Sequence, residues 1–340
     1  MKRVSAWSIR IGSLLFVLVA LGWWWVTRTH AGSWWWAALL NMAPPQLLWP
    51  WPLLLAWRAA RVGKRGWVVV NLLAAALFTV STVGFVLPRA PRAPGAGRPL
   101  TVLSLNTNYA SAPATKVAEL ALREGAQVVT LQEALDRQRS GKAFETQLRA
   151  AFPGWNVVRN DELLTLAHVP VLGWQVIKFP HSPHTLLLTR LRVEGQTVTV
   201  VNTHLTTFPL PLPLPQKGGR PVRTLQQRTE HQLQVRWDFQ TVMAGLLRHS
   251  ADPLVLAGDL NTPARGGVVH PLRFLGLSDA FAEAGTGFGF THWAYLGHSR
   301  LDYIWLRGLQ AQYAAPLPDL VSDHRALIAR LRLPDPASAP

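Results

Sequence analysis

Acidic, amide and imidazole side chains recur along the C-terminal two thirds of this chain, each beside a short apolar run. The set consists of Asn106, Glu133, His204, Asp259, Asn261, Asp302, Asp323 and His324. Carboxylate and amide oxygens are the ligands that Mg²⁺ prefers, and a histidine with a pKa of about 6.5 exchanges protons near neutral pH. The chain has no cysteine, which excludes thiolate metal sites and disulfides. These residue types are chemically suited to a site that combines a divalent cation with proton transfer.

The apolar runs beside these residues predict an alternation of strands and helices. Strands are predicted at residues 99–105, 126–131, 193–201 (with a hairpin turn at Glu194-Gly195), 253–257, 301–306 and 326–333, and helices at 114–124, 143–152 and 224–249. Such mixing predicts a layered α/β (α+β) sandwich. Since ligand sites of α/β sheets assemble at strand ends along one edge, the polar residues are expected to converge there.

Each polar residue also has a structural explanation when it is considered alone. Asn106 suits a turn, the segment 259–261 suits an Asx turn, and Asp323 suits the entry to a strand. Glu133 suits the first turn of a helix, and His204 suits a buried, hydrogen-bonded histidine. The functional interpretation therefore depends on the order and spacing of the whole set.

That order resembles the endonuclease/exonuclease/phosphatase superfamily. The similar segments are LSLNTN, LQEAL, VNTHL, GDLNTP, SRLDYIW and SDH, and GDLN and SDH are the most specific of them. The resemblance covers residues 100–333. It implies a four-layer sandwich, with two mixed β-sheets flanked by helices, and hydrolysis of phosphodiester or phosphomonoester bonds. The superfamily includes deoxyribonucleases, abasic-site endonucleases, neutral sphingomyelinases and inositol-polyphosphate phosphatases, so the substrate stays open.

The resemblance implies a metal-binding group of three residues. Glu133 matches the principal metal-binding carboxylate, Asn106 matches the asparagine beside it, and Asp323 matches the acidic residue before the last histidine. The expected cofactor is Mg²⁺ or Mn²⁺. A divalent cation neutralises the charge of a phosphoester and polarises its P–O bonds, and Mg²⁺ needs only one or two carboxylates because it keeps several waters.

The resemblance also implies a catalytic group. Asp259 and Asn261 match the pair that orients or activates the attacking water and binds the phosphoryl group. His324 matches the histidine beside the scissile phosphate, and Asp302 matches the aspartate that orients this histidine. His204 matches a histidine of the sphingomyelinase and deoxyribonuclease branches, where it aids the leaving group or the transition state.

Two segments depart from the family pattern. Where a serine–arginine pair usually precedes a proline, this chain has Ala167 and His168, so either a phosphate contact is missing or His168 replaces it. Residues 208–223, FPLPLPLPQKGGRPVR, form a proline-rich insertion that is predicted to be an extended, exposed loop. This loop either touches membrane or substrate at the mouth of the site or is a neutral surface loop.

The first 98 residues have a different character. They hold eleven basic and no acidic residues, whereas the rest of the chain holds 23 basic and all 18 acidic residues. Apolar stretches predict three transmembrane helices, at about 11–27, 34–57 and 66–88. Eleven of the 16 tryptophans lie before residue 68, as expected of an interfacial belt. Four prolines between residues 44 and 52 predict a kink, a break or a re-entrant hairpin in the second stretch.

The predicted organisation is a membrane region at 1–88, a Pro/Arg linker at 89–98, a catalytic domain at 99–333 and a disordered tail at 334–340. Seven basic residues on the N-terminal side of the membrane, against four on the other, favour a cytoplasmic N-terminus and an extracytoplasmic catalytic domain of a multi-pass cell-membrane protein. A cleaved signal peptide is the alternative for the first stretch, but its tryptophan-rich end lacks the small-residue cleavage pattern.

The resemblance and the apolar stretches together predict a membrane-anchored, divalent-metal-dependent phosphoesterase. Its expected partners are a phospholipid or nucleic-acid substrate and the lipid bilayer, with no obligate protein partner. The alternative is a non-catalytic, membrane-tethered binding module with a phosphoesterase-like domain, which loss of Glu133, Asp259 or His324 would have favoured. A transporter is disfavoured, since the apolar stretches contain no charged residue that could line an ion path.

Overall fold

The strands that follow residue 97 assemble into two six-stranded sheets in the computed structural model of the protein, which describes residues 2–89, 97–135, 141–208, 224–267, 269–294 and 297–334. In spatial order, the first sheet contains β13 (Gln310–Leu320), β14 (Arg325–Leu333), β1 (Arg98–Asn106), β2 (Val128–Gln132), β4 (Leu163–Ala167) and β3 (Asn156–Asn160). The second contains β5 (Val171–Lys178), β6 (Thr185–Val193), β7 (Gln196–His204), β8 (Leu254–Asp259), β12 (Asp302–Arg307) and β9 (Ser278–Asp279). A small hairpin consists of β10 (His292–Ala294) and β11 (Gly297–Ser299).

Both sheets are mixed. β1 pairs in parallel with β2, and β7 pairs in parallel with β8, whereas β14 and β12 run antiparallel to their neighbours β1 and β8. The predicted hairpin turn joins β6 to β7, and its two residues have positive φ angles, 46° at Glu194 and 85° at Gly195. Two left-handed residues in a two-residue loop match the twist of the flanking strands.

Helices cover the outer face of each sheet, which confirms two mixed sheets flanked by helices. The helices of the sandwich are α5 (Ala114–Arg123), α6 (Lys142–Ala151), α7 (Leu225–His249), α8 (His270–Phe274) and α9 (Ala280–Ala284), and α9 packs on the layer between the sheets. α5 and α6 pack on the first sheet, and α7 and α8 pack on the second. Side chains of both sheets, such as Val102 and Val255, fill the layer between them. Along β1, Val102 faces this layer while Leu103 and Leu105 face the helices, so the strand is apolar on both faces.

The N-terminal part is helical, and it differs from the prediction in its middle. It contains α1 (Lys2–Thr29), α2 (Trp35–Met42), α3 (Pro50–Arg61) and α4 (Arg65–Phe78), which a π-helical turn extends to Val83. Among the described residues, two helical segments are long and apolar enough to cross a membrane, Trp7–Thr29 and Arg65–Val83. The second predicted stretch, at 34–57, is broken into α2 and α3, which is one of the options that its four prolines predict, and neither helix is a candidate span.

Prolines account for this break. α2 ends at Met42, and the chain then forms a 3₁₀ turn over Pro45–Leu48 before α3 begins. Pro44 and Pro45 have no N–H to donate to a continuing helix. With 12 residues, α3 is about 18 Å long, against about 30 Å of bilayer hydrocarbon. The helix predicted at 66–88 ends earlier, at Val83, where Gly84 adopts a φ of 92°.

The long helices pack side by side. Phe16 of α1 contacts Trp51 of α3, with ring centroids 5.9 Å apart, and Phe78 of α4, with centroids 5.6 Å apart. Ser13 of α1 exchanges hydrogen bonds with Asn71 of α4. Ser13 of α1 contacts Asn71 of α4, and Phe16, later in α1, contacts Phe78, later in α4. The two helices therefore run in the same direction.

The C-terminal ends of α1 and α4 both contact the sandwich. The carbonyl of Thr27 accepts a hydrogen bond from Gly267 N (3.0 Å), and Val86, just after α4, forms a β-bridge with Gly287. Arg265, a buried residue of the sandwich, donates to the carbonyls of Asn41 and Ala43 at the end of α2. The α2 segment therefore lies against the sandwich.

Candidate active site

The ends of six strands bring the predicted residues to one edge of the two sheets. Asn106 ends β1, Glu133 follows β2, His204 ends β7, Asp259 ends β8, Asp302 begins β12 and His324 immediately precedes β14. The parallel strands end at this edge and the antiparallel strands begin there, so the register itself gathers the residues. Asp259 is the direct partner of His204 on one side and of Asp302 on the other.

A glycine fixes the position of Asp259. Gly258 has a φ of 146°, a conformation that is strained for other residues, and a Cβ built on it would lie 1.9 Å from the carbonyl oxygen of Thr203. Only glycine fits between β7 and β8 at this point. The sequence GDLN therefore carries a structural requirement as well as a chemical one.

Asn106 links the carboxylates of the two sheets. Its Nδ2 donates to Glu133 Oε1 (3.1 Å) and to Asp259 Oδ2 (3.1 Å), while its Oδ1 accepts from the backbone N–H of Asn108 (2.9 Å). Glu133 has a φ of 49°, which turns the chain away from β2 and directs its side chain to the edge. One amide thus holds the two acidic groups beside each other.

His324 forms a buried pair with Asp302. The distance from its Nδ1 to Asp302 Oδ2 is 2.7 Å, and its Nε2 lies 3.8 Å from Asp259 Oδ2. Burial opposes the charged imidazole, but the carboxylates of Asp302 and Asp259 outweigh it and raise the pKa of His324 to about 10. These two carboxylates therefore favour a protonated His324 at neutral pH, with its Nε2–H directed toward Asp259.

His204 forms a second such pair, with Glu162. Its Nδ1 lies 3.0 Å from Glu162 Oε1, and its Nε2 lies 3.6 Å from Glu133 and 3.8 Å from Asp259. Burial opposes the charge of His204, but Glu162, Asp259 and Glu133 together raise its pKa to about 9. Glu162 is absent from the sequence prediction, because an acidic residue between two short strands has the composition of an ordinary surface turn.

Asp259 is enclosed by donors. It accepts from the backbone N–H of Asn261 (2.8 Å) and from Asn261 Nδ2 (3.1 Å), in addition to Asn106. Burial and the neighbouring charge of Asp302 raise the pKa of Asp259. Asn261 itself has a φ of 46° and also donates to the carbonyl of Leu205 (2.7 Å). Asp259 and Asn261 therefore form an Asx turn, as the structural explanation predicted, and they also belong to the polar cluster at the sheet edge.

A buried arginine of α7 holds the loop after Asp259. Arg236 donates to the carbonyls of Thr206 (2.8 Å) and Asn261 (3.1 Å) and to Thr262 Oγ1 (3.1 Å). Its guanidinium lies 4.0 Å above the ring of Phe208, and burial lowers its pKa to about 9. Sequence reasoning missed Arg236, because a charged residue in a long helix is normally solvent-exposed.

Asp323 lies at the outer side of the cluster. It is exposed, and its ligand atom lies within 4.8 Å of those of His292 and His324, which makes one potential cation site. Asp259, Asp302 and His324 form a second group of this kind, entirely buried. Glu133 connects to the cluster through Asn106 and His204. His292 is a further residue that the sequence prediction did not include.

His168 lies at the opposite edge, so its proposed role as a phosphate contact is wrong. The preceding Ala167 pairs with Val128 at the beginning of β2, whereas the site lies beyond the end of β2. The exposed ring of His168 stacks on Trp155, with centroids 5.3 Å apart. Of the proline-rich insertion, residues 209–223 lie outside the described residues, as do 90–96 of the predicted linker and 335–340 of the predicted tail.

The edge of the two mixed sheets gathers carboxylates, amides and two carboxylate-paired histidines, an arrangement that is chemically suited to phosphoester hydrolysis. The model of the endonuclease/exonuclease/phosphatase family matches residues 103–324, and the chain belongs to this family. It is accordingly a phosphoester-hydrolysing enzyme, and the alternative of a non-catalytic binding module is set aside. No curated protein matches the chain.

Solved structures share the fold at low sequence identity. A humanized TDP2 of D. rerio with 14 mutations is 17% identical, with a TM-score of 0.53 over 69% of this chain and 99% of that one. The family member from Bacteroides vulgatus is 14% identical, with a TM-score of 0.53 over 69% and 99%. Mannosyl-6-phosphatase of Bacteroides thetaiotaomicron is 14% identical, with a TM-score of 0.51 over 68% and 99%.

Proposed function

We propose that this chain is a membrane-anchored phosphoesterase that uses Mg²⁺ or Mn²⁺ at the sheet edge. The observation that carries the proposal is the position of Asp259. Its Oδ2 lies 3.8 Å from Nε2 of both His204 and His324, and Asn106 connects it to Glu133. A phosphoryl group that binds there would contact the carboxylate of Asp259 as a general base and the imidazolium N–H donors of His204 and His324. The carboxylate of Glu133 would be available to bind a cation.

The donor set suits a hard divalent cation. Four carboxylates, those of Glu133, Glu162, Asp259 and Asp302, surround two histidines, so added positive charge is favourable. Glu133 would hold the ion, with Asn106 beside it and Asp323 as a further contact. The bound ion would neutralise the charge of the phosphoester and polarise its P–O bonds.

The protein's own groups have complementary roles in this proposal. Asp259, whose pKa is raised, accepts the proton of the attacking water while Asn261 holds its carboxylate in place. His324 donates a hydrogen bond from Nε2 to a phosphoryl oxygen, and Asp302 fixes the ring by accepting from Nδ1. His204, fixed in the same way by Glu162, assists the leaving group. General acid–base groups of this kind typically contribute ~10²–10⁴-fold each.

The direction of the helices supports the proposed membrane arrangement. α1 and α4 both run toward the sandwich, so α3 must return the chain between them. The ends far from the sandwich carry Arg58, Arg61, Lys64 and Arg65, and the region has no acidic residue. Basic residues concentrate on the cytoplasmic side, which supports an extracytoplasmic catalytic domain at 99–333 joined to a membrane region at 1–88 by the linker at 89–98.

Metal titration of the full-length chain in lipid bilayers tests the chemistry. Hydrolysis of bis(para-nitrophenyl) phosphate should require Mg²⁺ or Mn²⁺ and stop on chelation. Glu133→Gln should shift the metal dependence to higher concentration, whereas Glu119→Gln, a change on the exposed face of α5, should not. Metal-independent hydrolysis, or equal metal curves for both variants, would overturn the proposal. Parallel assays with phospholipid and plasmid DNA would rank the two substrate classes.

Labelling tests the sidedness directly, because the natural chain has no cysteine. In intact cells, a membrane-impermeant maleimide should label Thr146→Cys, on the exposed face of α6, and not Lys64→Cys, between α3 and α4. The reverse pattern would place the catalytic domain in the cytoplasm.

A further inference from the structure

A cavity of about 490 Å³ lies between α1 and α4. Its lining is apolar along most of its length, with Phe16, Ala20, Leu73, Ala74 and Leu77 among the contributing residues. Its hydroxyl groups, those of Ser81 and Thr82, come from the end of the helix nearest the sandwich. The volume lies within the ~300–1,000 Å³ that small-molecule sites usually have. We call this space the interhelix cavity.

A row of aromatic rings continues from the interhelix cavity toward the catalytic edge. Phe85, three residues beyond Thr82, meets Phe288 with ring centroids 5.0 Å apart, and Phe288 stacks on Phe290 at 4.9 Å. Phe288 and Phe290 also pack on the apolar cluster of Phe16 and Phe78. These half-buried rings therefore extend the apolar surface from the helices onto the sandwich.

The row of rings ends at the proposed catalytic residues. Thr291, next to Phe290, accepts the backbone N–H of Asp302 at its hydroxyl (3.1 Å), and its carbonyl accepts from Arg325 N (2.7 Å). The following residue, His292, has its ring 4.5 Å from that of His324, and the two residues form a β-bridge. One short segment, 288–292, thus contacts both the helix cluster and the site.

We propose that the interhelix cavity holds the hydrocarbon chain of a lipid phosphoester, whose head group reaches the site along the aromatic row. This inference rests on the proposed phosphoesterase function and selects lipid as its substrate class. The lining is hydrocarbon-like, the cavity belongs to the two candidate membrane-spanning segments, and polar groups occur at the end where a head group would emerge. From Val70 to Thr82 the cavity follows α4 for about 18 Å, a length that suits an extended chain.

A series of substrates with one reacting group and different tails tests this inference. The full-length chain in lipid bilayers would be assayed with alkyl para-nitrophenyl phosphodiesters that carry methyl, octyl and hexadecyl tails. Each methylene transferred to an apolar site favours binding, so KM should fall at least ~tenfold from the methyl to the hexadecyl diester, while kcat changes little. Concentrations are expressed per volume of water, and partition of a tail into the bilayer, which is the same for every variant, cancels when variants are compared.

A matched pair of variants distinguishes the cavity from the bilayer. Ala74→Phe fills the interhelix cavity, whereas Ala76→Phe adds the same side chain to an exposed position of the same helix. Ala74→Phe should remove the advantage of the long tail and leave the methyl diester unaffected. Ala76→Phe should retain the wild-type ratio, and both variants should melt at the wild-type temperature.

The outcomes separate this inference from the function on which it rests. If wild type hydrolyses the methyl diester but tail length has no effect, or if Ala74→Phe and Ala76→Phe behave alike, the cavity is not a substrate site. If wild type hydrolyses none of the diesters with Mg²⁺ or Mn²⁺, the phosphoesterase proposal itself fails. A tail effect that Ala74→Phe alone removes supports the lipid substrate.

Discussion

The catalytic edge and the N-terminal helices are held together by different kinds of contact. At the edge, Asp259, Asn106 and His204 each have several polar partners on other strands or turns. Between α1 and α4, contacts between apolar rings and side chains predominate, with Ser13–Asn71 as a buried polar pair. The register of the strands therefore determines which polar side chains come together at the edge, whereas packing of apolar side chains determines how the helices are arranged. Changes in the two regions should have separable effects.

The largest effect should come from His324→Ala. This change removes an imidazolium that Asp302 holds against Asp259, so turnover of a soluble diester should fall by ~10³-fold or more. His168→Ala, at the opposite edge of the same sheet, is the matched control and should keep full activity. Full activity of His324→Ala, at equal expression and melting temperature, would contradict this view, because the residues that the strand register brings together would then not be the catalytic ones.

Gly258→Ala should have the next largest effect, this time on folding. The new Cβ would lie 1.9 Å from Thr203 O, so β7 and β8 must separate, and the free energy of unfolding should fall by ~3 kcal/mol or more. Gly245→Ala in α7 meets nothing within 4 Å and should be neutral or stabilising by ~0.5–1 kcal/mol. Thermal unfolding of the two variants measures the difference, and equal melting temperatures would contradict the packing argument.

Arg265→Met should loosen the contact between the two regions. Arg265 donates to the carbonyls of Asn41 (2.8 Å) and Ala43 (2.9 Å), and hydrogen bonds to charged groups typically contribute ~1.5–3 kcal/mol. Amide exchange in α2 should accelerate at least ~tenfold, while exchange in α5 stays unchanged. The exposed Arg248→Met serves as the control. Equal acceleration in α2 and α5 would mean that Arg265 supports the whole sandwich rather than the contact with α2.

What could be predicted from the sequence follows the same division. β1 could be located because an apolar run ends in a polar residue, and α7 because Thr224 and Gln227 form a capping box at its start. Parallel strands ending at one edge then bring distant residues together. Glu162 could not be identified as a site residue from the sequence, because its partner His204 lies 42 residues further along the chain and only the folded structure brings the two together. The four prolines between residues 44 and 52 predict a break as one option for the second stretch, but hydropathy alone does not select it from the others.

The most gradual effect should be a dependence of stability on pH that arises in the sandwich. The first acidic residue of the chain is Glu119, in α5 of the sandwich, so the N-terminal helical region contains no carboxylate that could titrate. Burial, together with the charge of His204, lowers the pKa of His184 to about 4, whereas the unfolded histidine titrates at about 6.5. Between these values the unfolded chain binds the extra proton. His184 therefore makes stability fall as pH falls through this window, by at most ~1.4 kcal/mol per pH unit.

His184→Gln should remove this contribution, since glutamine does not titrate and can still hydrogen-bond to Thr206, the partner of His184. Melting temperatures between pH ~7 and ~4 should fall less steeply for His184→Gln than for wild type. His249→Gln, an exposed change at the end of α7, is the control and should follow the wild-type slope. Parallel slopes for all three proteins would place the acid sensitivity elsewhere, in the carboxylates around Asp259 and Asp302, whose protonation would then weaken both stability and turnover together.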